Sequence, residues 1–188
     1  MPNDLLTPIL PVVEAFRRRA FDHPRPYVTE HGLVIDWGGK VLAKVQGHRK
    51  AVTCPFSAIG RVFVHNHPGW CPTYLPSVGD LASMPGWEAL SFIVTPIGTC
   101  LIEQTDTTLA RKQVRGEPMK SSIRNWQVRS VACFREHRGD PSTDAVVSEY
   151  AALVGEVAST LGLRVSLVDP RLGVVIVLID PAPYRGEE

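Results

Sequence analysis

The chain has 188 residues, 44% of them hydrophobic and 21% charged, which suits one soluble globular domain with a real core. Twenty basic against nineteen acidic side chains leave a formal net charge of +1, so no global field favours nucleic acid or an anionic membrane. Cys54, Cys71, Cys100 and Cys133 are scattered without a C-x-x-C pair, which argues against a zinc ribbon or a secreted disulfide framework. Asp4 and Glu14 stand where a signal peptide would be basic and then apolar, and no run reaches bilayer-spanning length. The expectation is a cytoplasmic protein with reduced thiols and no membrane partner.

In chain order, residues 5–21 read as an amphipathic helix. Leu6, Ile9, Leu10, Val13 and Phe16 recur at helical spacing, and Arg17-Arg18-Arg19 form a solvated last turn that complements the helix dipole. Glu14 reads as a solvent-facing mid-helix glutamate. His23-Pro24-Arg25-Pro26 stops the helix. Residues 27–36 read as a strand, Gly38-Gly39 as a hairpin turn and residues 40–45 as its return. A short apolar run, Arg61-Val62-Phe63-Val64, delivers His65 at its end. Ser77 caps a helix over 78–84 that stops at Pro85-Gly86. Residues 89–95 and 99–103 read as strands joined by Ile97-Gly98. The segment 104–140 is polar and weakly periodic, and reads as irregular or short strands, a possible insertion facing a partner. The clearest helix covers 144–161: Val146, Val147, Tyr150, Leu153, Val154, Val157 and Leu161 form one stripe, Thr143 caps it and Gly162 ends it. Strands 163–168 and 173–179 follow. The order implies one α/β (α+β) domain over residues 1–188, a sheet with helices packed against it.

Chemistry concentrates in His65-Asn66-His67-Pro68 and Pro76-Ser77-Val78-Gly79-Asp80-Leu81. Histidines one residue apart can aim both imidazoles at one point. Asp80, on the first turn of the Ser77-capped helix, can add a carboxylate. Two imidazoles, one carboxylate and an open fourth position describe a catalytic zinc site. Such a site needs a base, and only Glu14 and Glu30 precede the histidines among the glutamates. Glu30, at a strand start in Thr29-Glu30-His31-Gly32, is the better candidate, with Gly32 permitting close approach. Each residue has a structural alternative: Ser77 as a helix cap, Asp80 as a dipole-complementing acid, Glu30 as an edge-strand charge. Ser77 can also steady a developing oxyanion. His31 should face the opposite side of the sheet from Glu30, and His23, His48 and His137 lie in polar turns. The contiguous His65-Asn66-His67 string lacks the spread of the HNH nucleases, and the balanced charge gives no argument for phosphate binding.

Glu30, the H-x-H-P string at His65 and the P-S-x-x-D string at Pro76 together resemble the signature of the JAMM (MPN-plus, JAB-domain) zinc metalloproteases of prokaryotic type. The resemblance covers a short part of the chain, and no signature follows residue 104. It implies a twisted, mostly antiparallel MPN-like sheet between helices, cytidine-deaminase-like in outline. It implies one catalytic zinc on His65, His67 and Asp80, with Glu30 as general acid/base and Ser77 stabilising the intermediate. The activity it implies is hydrolysis of a peptide or isopeptide bond at the tail of a ubiquitin-like protein, by Glu-assisted attack of zinc-activated water. No nucleic-acid partner is expected. The alternatives are a non-catalytic MPN scaffold, a RadC-like protein acting near DNA, and a small-molecule amide hydrolase on the same site. One departure stands out: twelve residues separate His67 from Asp80, about two more than the usual family spacing, an enlargement that costs little loop entropy. In that loop Trp70 or Tyr74 would line a substrate channel or pack the loop, and Cys71 reads as a free loop thiol, with approach to the metal as the lesser alternative. The arginine-rich stretch from Arg111 to Arg138 would face the partner or solvent.

Overall fold

Val62–Asn66 and Leu90–Val94 bury every one of their residues, so the sheet they form needs cover on both faces. The computed structural model describes residues 3–48, 52–68, 75–84, 89–105, 117–136 and 144–181. Among these, seven strands form one sheet: β1 (His31–Ile35), β2 (Val41–Gln46), β3 (Val62–Asn66), β4 (Leu90–Val94), β5 (Thr99–Gln104), β6 (Leu163–Asp169) and β7 (Val174–Ile179). Their spatial order is β2-β1-β3-β4-β5-β6-β7. The β3–β4 pair is parallel and every other pairing is antiparallel. The fold is therefore mixed α/β around a mostly antiparallel sheet.

Strand alternation divides the core. Val62, Val64, Leu90, Phe92, Val94, Leu101 and Val168 face one side, where Ile9, Leu10, Val13 and Phe16 cover them from α1 (Leu10–Arg17) and the turn before it. Ile93, Cys100, Ile102, Leu163 and Val165 face the other side. There they meet α2 (Val78–Ser83), α3 (Glu117–Glu136) and α4 (Asp144–Leu161). The parallel β3–β4 step is the one that requires a crossover, and α2 lies within it.

The structure revises three expectations. The first helix is not continuous from 5 to 21: a 3₁₀ turn at Asn3–Leu5 precedes α1, and the chain runs on into a π-helical turn over Arg18–Asp22. Pro8 and Pro11 each lack a backbone donor, and Pro11 fits because it sits in the first turn of α1. Second, Glu14 is buried rather than solvent-facing, because Arg17 and Arg18 donate to its carboxylate at 3.0 and 2.8 Å. Arg19, itself exposed, donates to the Arg25 carbonyl and lies 4.6 Å over the Tyr27 ring. The arginine triplet thus anchors the chain's own turn. Third, residues 117–136 are helical, not irregular. The segment hides its periodicity because apolar Val128 and Val131 stand exposed. Trp126 is its buried anchor, and the Trp126 and Arg129 donors converge on Glu156 of α4 at 2.8–2.9 Å.

Other expectations hold. Gly38-Gly39 turns the β1–β2 hairpin, with Gly39 at φ 84° and the Asp36 carboxylate accepting from the Gly38 and Lys40 amides. Gly162 ends α4 at φ 71°. Strand β1 is shorter than residues 27–36, so Glu30 lies immediately before it. No helix among the described residues is long and apolar enough to cross a membrane.

Candidate metal centre

The site forms where the carboxyl end of β3, the start of β1 and the amino end of α2 meet. His65 pairs with Gly32 across β1–β3 and with Ile93 across β3–β4. It therefore points to the α2 side of the sheet, with Ile93 as its neighbour. Continuing the β1–β3 register by two residues sets Glu30 opposite His67, on that same side. His31 takes the other side, where its ring stacks on Tyr27 at 3.8 Å.

Residue Ser77 gives α2 its start and Asp80 its orientation. Its hydroxyl accepts from the Asp80 amide at 3.1 Å, and its own amide donates to Asp80 Oδ2 at 2.7 Å. This reciprocal capping box satisfies helix-terminal donors and fixes the Asp80 carboxylate. Tyr150 of α4 locks the segment from behind, its buried hydroxyl donating to the Pro76 carbonyl at 3.0 Å.

The outcome is a converging donor set. His65 Nε2 and His67 Nε2 stand 3.3 Å apart. The Asp80 carboxylate straddles them, with Oδ1 at 3.2 Å from His65 Nε2 and Oδ2 at 3.3 Å from His67 Nε2. All three residues offer ligand atoms within 4.8 Å of one another, a spacing that can hold a metal ion. Burial opposes ionisation of Asp80, yet His67 and His65 hold its carboxyl well below the ordinary carboxylate range. His65 also stacks on Phe63, with ring centroids 5.4 Å apart. Its buried Nδ1 has no hydrogen-bond partner among the described residues, so ring packing is what orients it there.

Glu30 is 5% exposed and senses the whole set. Burial raises its pKa above the ordinary 4.5. His67 and His65 counteract this, Asp80 adds to it, and the Val52 amide donates to the side chain. Gly32 earns its place through a neighbour: a Cβ there would come within 2.7 Å of the Phe63 ring, so the close approach is that of a β3 side chain. Cys100 lies one strand beyond Ile93 on this face. Burial and the nearby Asp80 charge push its thiol far up, which disfavours the thiolate a metal would need.

Five residues singled out from the sequence are thus brought together: Glu30, His65, His67, Ser77 and Asp80. Trp70, Cys71 and Tyr74 lie outside the described residues, as do 111–116 and 137–138 of the arginine-rich stretch. Two residues escaped the sequence reading. Tyr150 was assigned only to an apolar stripe. Asn66, between the two histidines, is fully buried and bonded to the Thr29–His31 segment. A polar amide closing a short apolar run, between two histidines, was the signal for it. Compared with family models, curated proteins and solved structures, the chain matches none.

Proposed function

We propose that the protein is a zinc-dependent peptidase or isopeptidase of the JAMM type. The observation that carries this reading is the 3.3 Å separation of the two histidine Nε2 atoms beneath a straddling carboxylate. Nitrogen ligands about 2.0–2.1 Å from one ion at tetrahedral angles stand about 3.3–3.4 Å apart. His65, His67 and Asp80 leave a fourth position open, the arrangement of a catalytic rather than a structural centre. A bound zinc ion would supply Lewis-acid polarisation of the scissile carbonyl and of the attacking water.

The chain's own residues do the rest. Glu30, buried on the same face with its pKa raised, takes the proton from the attacking water and delivers it to the leaving amine. A carboxylate tuned upward is better matched to that double task near neutrality. Ser77 accepts from the Asp80 amide, which leaves its hydroxyl proton for an oxyanion developing beside the ligands. The substrate class, a ubiquitin-like tail, rests on the motif resemblance. An extended tail suits the outer side of β2, the edge strand of the sheet among the described residues, beside the strand that follows Glu30.

Metal analysis of freshly purified protein, joined to cleavage of ubiquitin-like fusions, tests the reading. Wild type and Glu30→Gln should both carry close to one zinc per chain, and Glu30→Gln should cleave about 10²–10⁴-fold more slowly. Absence of zinc from wild type, or cleavage by Glu30→Gln at the wild-type rate, would falsify it.

A further inference from the structure

We infer that Asn66 is a positioning residue that holds Glu30 in place opposite the histidines, an inference that rests on the metallopeptidase reading. Asn66 occupies the middle of the H-x-H string and is fully buried in β3, yet it points away from the ligand face. Its side-chain amide makes two bonds to one short segment. Asn66 Oδ1 accepts from the His31 amide at 2.7 Å, and Asn66 Nδ2 donates to the Thr29 carbonyl at 3.2 Å.

Those two groups belong to the peptide planes on either side of Glu30. The remaining groups of the same planes are held from β2's side of the sheet: the Glu30 amide donates to the His48 carbonyl at 2.9 Å, and the Glu30 carbonyl accepts from the Gly47 amide at 2.8 Å. All four polar atoms flanking the Glu30 α-carbon are therefore fixed. With both planes fixed, φ and ψ at Glu30 are fixed, and so is the direction of its Cα–Cβ bond. One flank is held by main chain, the other by a single side chain.

The location matters because the β1–β3 ladder ends at the Gly32–His65 pair. Beyond it, the Asn66 amide takes over the attachment. It is covalently continuous with both ligand histidines, so any movement of the His65–His67 turn carries Glu30's anchor along. The ligands and the proton carrier are thereby built as one unit, although 34 residues separate Glu30 from His65 in sequence. Outer groups that orient catalytic residues typically change activity by about 10–100-fold when removed.

Cobalt-loaded protein gives a readout that does not need turnover. In Asn66→Ala, the hyperfine-shifted ring resonances of His65 and His67 should stay in place while those of Glu30 move. Exchange of the His31 amide should accelerate about tenfold or more. Against a fusion that wild type cleaves, kcat should fall about 10–100-fold with KM unchanged. Glu30 resonances and His31 exchange that match wild type would overturn the inference, as would loss of the histidine shifts together with those of Glu30. If wild type binds no cobalt, the metallopeptidase reading fails, while His31 exchange still decides whether Asn66 clamps this segment. Should Asn66→Ala not fold, wild type alone suffices: slow exchange of the Asn66 side-chain amide supports the clamp, and rapid exchange removes it.

Discussion

Ser77 shows how one hydroxyl can serve both the helix and the chemistry, and the two uses separate by substitution. Ser77→Ala loses the acceptor for the Asp80 amide, at a cost of about 1 kcal/mol, whereas glycine at an N-cap costs only a few tenths. Thermal unfolding should therefore show Ser77→Ala about 2–4 °C below wild type and Ser77→Gly close to it. If the hydroxyl also meets the oxyanion, both variants should lose about 10²–10³-fold in kcat. Glu30 illustrates the opposite balance, a residue kept at the expense of stability. Its folded-state pKa lies above 4.5, so the folded protein holds the proton more tightly and stability falls as pH rises through the shifted value. Metal-free Glu30→Gln should melt above metal-free wild type at pH 7, and the gap should close on acidification below about 4.5. Calorimetry across that range checks the sign.

At the scale of elements, the centre depends on how α2 is seated between α4 and the sheet. Val78, Leu81 and Met84 of the α2 segment share a buried cluster with Tyr150, Leu153, Val154 and Val157 of α4. A directional contact in that seat is the Tyr150 hydroxyl on the Pro76 carbonyl. Tyr150→Phe leaves a buried carbonyl unpaired and should cost about 1–3 kcal/mol. Because Pro76 precedes the cap, the same variant should weaken cobalt binding, a change that optical titration reads directly. Strand β1 is seated differently, through the absence of a side chain. Gly32→Ala would force the Phe63 ring from its place, and Phe63 is what packs on His65. Its effect should therefore fall on metal affinity as well as on melting temperature.

At the scale of the whole molecule, six carboxylates among the described residues fall into two groups with opposite pH signatures. Glu30 and Glu103 are raised above 4.5, in both chiefly by burial. They withdraw stability as pH rises through their shifted values. Glu14 and Asp80 are lowered despite burial, by their arginine and histidine neighbours respectively. Glu156 is lowered by the Trp126 and Arg129 donors, and Asp169 by the Arg171 amide. These four add stability that is lost as pH falls through their depressed values. Between the two regimes, above the depressed values and below the raised ones, the metal-free protein should be most stable, on the acid side of neutrality. A melting profile from pH 3 to 8 with no decline toward either end contradicts this assignment.

Local chemistry in the sequence was enough to place most elements. Short apolar, β-rich runs marked β4, β5, β6 and β7, a capping serine marked α2, and a seven-member apolar stripe marked α4. The same local logic identified His65, His67 and Asp80 as a donor set, because spacing alone directs side chains two residues apart to one side of a strand. It failed in α3, where Val128 and Val131 stand exposed while Trp126 is buried. It also misread Glu14, whose burial is made possible by Arg17 and Arg18. What the tertiary structure decided was who stands opposite whom. Only strand register sets Glu30 across from His67, only the crossover through α2 brings Asp80 to 3.2 Å from His65, and only the folded sheet shows the Asn66 amide reaching the peptide planes around Glu30. The physical reason is range: propensity and periodicity act within a few residues, whereas register and packing join residues 15 and more apart.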